Sequence, residues 1–164
     1  MRLRRRKPVV REVQDDPQAA RLAALKLLNR RDYGARELCE RLVARGIEPV
    51  TAIAAVETLV AEKLVDDARY AEHFVAYHAN RGRGPVGIAY KLREAGVSQD
   101  KIAAAVDADS TEWQKRCAEV RRRRFGTKLP TTWIQRGRQA RFLSQRGFSA
   151  EQIRAAVGQF PGED

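Results

Sequence analysis

The chain has no run of about 18 apolar residues, so no helix of it would span a membrane. Its opening, Met1 to Pro8, contains no apolar core and does not read as a secretory signal. Cysteine is scarce: Cys39 and Cys117 have no CxxC spacing. That excludes a disulfide-stapled fold and a metal finger, and the two read as reduced packing residues of a cytoplasmic protein. Histidine is equally scarce. His73 and His78 are five apart, about 140° around a helix, and cannot face one ligand. The serines, Ser98, Ser110, Ser144 and Ser149, have nothing arranged around them for nucleophilic chemistry. No nucleophile elbow, P-loop or carboxylate cluster is present, and Asp66-Asp67 reads as a helix cap rather than a metal pair. The expectation is a non-enzyme with no catalytic residue, no metal site and no cofactor.

What is abundant is positive charge. In 164 residues, Lys and Arg number 32 against 21 acids, a net charge of +11. Residues 1–11 hold six basic side chains and no acid. Residues 113–146 hold eleven against Glu119 alone, so the rest of the chain is net acidic. A segregated basic region is the footprint of a polyanion partner, whereas solubility alone calls for interspersed signs. Arginine also forks onto phosphate and stacks on bases in ways a merely solvated face does not need.

The chain reads as all-α. Apolar residues recur at three and four, as in Leu22, Leu25 and Leu28, then Leu38, Leu42 and Val43, then Ile53, Val56 and Val60. Tyr70, Phe74 and Tyr77 mark another helix face, and no stretch alternates long enough for a strand. Pro17, Pro49, Pro85 and Pro130 each fit a helix's first turn. Asp66, Ser98, Ser110 and Ser149 fit N-caps, and Gly46, Gly96 and Gly147 fit the position just past a helix end.

Those three glycines reveal a repeat. Leu42-x₃-Gly46-Ile47, Leu92-x₃-Gly96-Val97 and Leu143-x₃-Gly147-Phe148 recur at spacings of 50 and 51. The copies continue in register, Ile102 and Val106 matching Ile153 and Val157. Each period holds three helices that cannot bury their stripes alone. We therefore expect three tandem three-helix repeats forming an elongated curved array. The boundaries read as a disordered basic arm at 1–16, repeats at 17–65, 66–108 and 109–160, and a tail at 161–164.

Gly82-x-Gly84-x-x-Gly87 spells a dinucleotide fingerprint, but a helix rather than a strand precedes it. It reads instead as a turn with Gly84 at the N-cap and Pro85 at N1. Arg81 and Arg83 would then flank open N–H groups at a helix start, a phosphate or carboxylate site. Arg121 to Arg124 run consecutively and step by about 100°, so some must line a groove or lie over apolar surface. Trp113, Phe125, Trp133, Phe142, Phe148 and Phe160 stand beside the basic run. Their spacing suits core positions, with base stacking the alternative.

Three stretches together resemble the RecX family of bacterial recombination regulators. They are Tyr33-x₃-Glu37-Leu38-x₃-Leu42, Gly84-Pro85-x₂-Ile88-x₃-Leu92-x₃-Gly96 and Arg141-Phe142-Leu143-x₂-Arg146-Gly147-Phe148-Ser149. Gly34 and Lys91 depart from the family's usual residues, Ser or Thr and Glu. With no long apolar seam left over after stacking, a monomer is expected, and the resemblance implies a protein that binds RecA–single-stranded DNA filaments in their helical groove. It would inhibit ATP hydrolysis, strand exchange and the coprotease activity behind the SOS response, with direct binding of single- or double-stranded DNA. Arg81, Arg83, Arg121, Arg123, Arg124, Arg138, Arg141 and Arg146 are the expected contacts to RecA or DNA. A stand-alone DNA-binding helical protein is the alternative.

Overall fold

The computed structural model describes residues 15–158. Among the described residues are nine helices and no strand: α1 (Pro17–Leu28), α2 (Ala35–Val43), α3 (Pro49–Ala61), α4 (Asp67–Asn80), α5 (Pro85–Glu94), α6 (Gln99–Val106), α7 (Thr111–Phe125), α8 (Trp133–Gln145) and α9 (Ala150–Val157). The chain divides into two compact units between Asp66 and Asp67.

The first unit is α1, α2 and α3 around one core. Ala20, Ala24, Leu38, Leu42, Ala52 and Leu59 are fully buried there. Small alanines on α1 and α3 let those helices approach closely, and each buried leucine contributes about 1.5–3 kcal/mol. Asp16 caps α1 by accepting from the Gln18 N–H at 2.9 Å, and Asp15 accepts from the Thr51 hydroxyl. The last two residues of the expected disordered arm are therefore placed. Residues 1–14 and the tail at 161–164 lie outside the described residues.

The second unit holds α4 to α9 around a single core. Ile88 and Leu92 of α5, Ile102 of α6, Cys117 of α7 and Leu143 of α8 are essentially inaccessible in it. The second and third helix triples thus share their apolar interior.

The recurring Leu-x₃-Gly turns have one physical explanation. In each, the residue after the glycine donates its N–H to the leucine carbonyl: Ile47 to Leu42, Val97 to Leu92, Phe148 to Leu143, at 3.1–3.3 Å. The glycines take φ of 93°, 82° and 87°, and the residues that follow are buried. This is the six-to-one closure with its hydrophobic contact that ends helices in the left-handed conformation.

The starts of helices are mixed. Pro17, Pro49 and Pro85 do occupy first-turn positions. Pro130 does not: α8 begins at Trp133 behind the cap of Thr132, whose side chain accepts from the Gln135 N–H. A hydroxyl able to accept an orphan N–H sets that boundary, and the proline stays in the loop. Ser149 forms a full capping box with Gln152, and Ser110 accepts from the Glu112 N–H. Ser98 sits at the N-cap of α6 without a capping bond. It bonds the Asp100 carboxylate instead, holding that group below the usual range.

Candidate polyanion groove

The four consecutive arginines separate by direction, as their 100° steps require. Arg121 turns inward and is 4% exposed. Its guanidinium donates to the carbonyls of Lys128 at 2.9 Å, Gly126 at 3.2 Å and Thr127 at 3.3 Å, and to Gln139 Oε1 at 3.4 Å. It pins the loop after α7 and has no face left for a phosphate, which corrects its place among the expected contacts. Arg122 and Arg123 both pair with Glu119, at 2.5 and 2.8 Å. Hydrogen bonds from Arg123 and then Arg122 hold the Glu119 carboxyl below the usual range. Arg124 lies 5.8 Å over the Phe125 ring.

Arg124 faces a hollow of about 280 Å³ where the end of α4 meets α7 and α8. Arg81, Arg123, Arg124 and Arg146 line it, with Phe142 and Val120. Arg81 stacks on Tyr77, its guanidinium carbon 3.8 Å from the ring centroid. Arg146 lies 5.1 Å over Phe142 and donates from Nη1 to the Arg81 carbonyl at 3.2 Å. Gly82 forms part of the wall at φ 74°, and a Cβ there would stand 3.0 Å from Val120. A second hollow of about 410 Å³ continues it along α7, sharing Asn80, Gly82, Val120 and Arg123 and adding Lys115 and Arg116. No acid lines the first hollow, whereas Glu112 and Glu119 line the second. Three guanidiniums over aromatic rings, with Arg123 beside them, match what a phosphate backbone with splayed bases requires.

The structure thus brings together four of the eight expected residues. Arg83 lies on the far side of Arg146 and faces a different hollow. Arg138 precedes Phe142 by one helical turn and flanks the groove. Arg141 is about 100° around α8 from Phe142, exposed and outside the lining.

The anion site expected at the start of α5 is overturned. Its first-turn donors are taken by main chain: Gly84 N–H donates to the Arg146 carbonyl at 2.8 Å, and Val86 and Gly87 donate to Gly147 at 3.0 and 3.2 Å. Gly84 is indeed the N-cap with Pro85 next. The glycines there serve a backbone seam: a Cβ on Gly84 would lie 2.4 Å from the Gly147 oxygen, and one on Gly147 would lie 2.6 Å from Gly87 Cα.

Sequence reasoning missed Lys115, Arg116 and the Tyr77 platform. Arg116 stands seven residues before Arg123, two turns along one face of α7, and that spacing was the available signal. Of the aromatics, Trp113 and Phe148 are core, the Trp113 indole N–H donating to the Val106 carbonyl at 2.8 Å. Phe125 and Phe142 are half-buried, edge to face at 5.3 Å. Trp133 is 69% exposed, and Phe160 lies outside the described residues. Both cysteines are free, and Cys117 is buried.

Among the described residues no helix is long and apolar enough to cross a membrane, and no group of His, Cys, Asp and Glu could hold a metal ion. Three family models match in order: the first three-helix domain of RecX at residues 20–59, the second at 66–106 and the third at 110–157. A protein of Halorhodospira halophila named Regulatory protein RecX is 41% identical over 147 residues, 90% of this chain and 91% of that one. One of the same name from Pseudomonas savastanoi pv. phaseolicola is 38% identical over 152 residues, 93% and 98% of the two chains. The crystal structure of RecX from Lactobacillus salivarius superposes with a TM-score of 0.74 at 20% identity, covering 87% of this chain and 95% of that one. The repeat, the helix order and the matches along nearly the whole chain agree: the chain belongs to the RecX family.

Proposed function

We propose that this protein regulates recombination by binding RecA–single-stranded DNA filaments in their helical groove, so inhibiting ATP hydrolysis, strand exchange and coprotease activity. The observation that carries the reading is the groove where Arg81, Arg123, Arg124 and Arg146 converge beside Tyr77 and Phe142, in a chain whose relatives are named regulatory proteins. A filament of protein wound on nucleic acid presents phosphates and acidic side chains together, and guanidiniums recognise both. Arg83, Arg138 and Arg141 supply outer contacts. The protein acts as a monomer in the cytoplasm, and its role is to occupy a surface rather than to catalyse.

The test is RecA ATP hydrolysis on single-stranded DNA, titrated with this protein at near-physiological salt and with excess free DNA as a competitor. Inhibition below one protein per RecA that resists added DNA is the expected result. Loss of inhibition in proportion to added DNA would replace the reading with simple DNA binding. Binding that is purely electrostatic would also fall steeply with salt, as released counterions dictate.

A further inference from the structure

We propose that the hollow between α4, α5 and the end of α8 is a phosphate-binding site, with His78 as its titrating member. This goes beyond the groove reading, to which it is joined only through Arg146, which lines both hollows. The hollow has a volume of about 180 Å³ and brings together nitrogen donors from three elements. They are His78 of α4, Lys91 of α5 and Arg83 from the loop between α4 and α5, with Arg146 after α8 on the wall. No carboxylate lines it.

Its geometry is built rather than incidental. Gly87 and Gly147 meet along one wall with no side chain between them, a Cβ on Gly87 being only 3.2 Å from Gly147 Cα. The His78 ring is held by Phe74 at 4.2 Å and by the edge of Tyr77 at 5.2 Å. Tyr90 also lines the hollow, and its hydroxyl is hydrogen-bonded to Glu94, which occupies that acid. Among the described residues neither Arg83 nor Lys91 forms an ion pair. Gln145, from the last turn of α8, completes the polar lining.

An empty hollow of this kind disfavours a proton on His78. Burial, then Lys91 and Arg83, push its pKa down. A phosphate oxyanion reverses the sign. It would accept from Lys91 and Arg83 and make a protonated His78 a third charged donor. Two sources share this chemistry: the backbone of a nucleic acid and a free phosphate.

The experiment is an NMR titration of the two histidine ring signals in the full chain at constant ionic strength. His73, exposed on the same helix, is the internal reference. One arm adds inorganic phosphate; the other adds an oligothymidylate, whose phosphodiesters do not titrate in this range. In either arm the His78 midpoint is expected to rise by about one pH unit, the effect of an opposing charge within 4–6 Å, while His73 stays. A response to the oligonucleotide at much lower phosphate concentration assigns the site to the backbone, and a response to inorganic phosphate alone assigns it to a small anion. Lys91→Gln and Arg83→Gln are each expected to weaken the effect about tenfold. A His78 midpoint unmoved in both arms, or one that moves in step with His73, overturns the proposal. No recombinase is present, so this outcome is independent of the filament assay.

Discussion

Replacing Gly147 by alanine should destabilise the second unit more than the same change at Gly126, and the magnitude can be worked from the seam. At φ 87° a Cβ costs about 1–2 kcal/mol in backbone strain. It would also stand 2.6 Å from Gly87 Cα and N, so the two backbones must part. Three hydrogen bonds to the carbonyls of Arg146 and Gly147 would weaken, each worth about 0.5–1.5 kcal/mol net. The total is about 3–6 kcal/mol. For a unit of roughly 100 residues, where 1 kcal/mol moves Tm by about 4–8 °C, Tm should drop by at least about 12 °C. Two further glycines separate the causes. Gly126 has φ 88° and ψ 179° with nothing within 4 Å of a Cβ, so Gly126→Ala carries strain alone, about 1–3 kcal/mol. Gly137 lies inside α8 facing open space, so Gly137→Ala should stabilise by about 0.5–1 kcal/mol. Tryptophan fluorescence suits the measurement, since Trp113 and Trp133 both lie in this unit. A Gly147→Ala loss no larger than that of Gly126→Ala would refute the close approach as its cause.

Arg121→Met should cost about 2–4 kcal/mol by leaving loop carbonyls unsatisfied, yet leave DNA affinity at low temperature nearly unchanged; a large affinity loss in the folded protein would put it back on the binding surface. Reversing Arg124 and Arg146 to Glu should weaken filament inhibition more than reversing Arg138 and Arg141, as the same ATPase titration would show. His78 has a folded pKa below its ordinary 6.5, so the unfolded chain takes its proton more readily. The stability tied to its neutral form is complete above about pH 6.5 and lost as pH falls below it; urea midpoints for His78→Gln should fall less over that range than those of the unsubstituted protein. Burial pushes the Cys117 thiol up to about 12, so a thiol reagent at pH 8 should label it only after denaturation.

The helices and their ends were legible because their causes are local. A leucine, a glycine and the residue after it close a turn through bonds five residues apart, and the recurrence showed it three times. The roles of the start of α5 and of Arg121 were not legible. Gly84 finds its acceptor on Arg146, far along the chain, and nothing beside Gly84 announces it. Four identical residues point in four directions, and only the loop from Gly126 to Lys128 selects Arg121 to turn inward. Lys115 and Arg116 illustrate the converse: their basic character was evident, but membership of the groove depends on where Asn80 and Gly82 end α4.

The seam between Gly84 and Gly147 also sets a schedule. The two residues are 63 positions apart, and synthesis adds about 5–20 residues per second. For roughly 3–13 s, then, the first-turn donors of α5 have only water to bond. The second helix triple, complete in sequence once Val106 has appeared, must wait for the third to finish it. Fragments cut between α6 and α7 should for this reason behave as unfinished protein rather than as a smaller version of the whole.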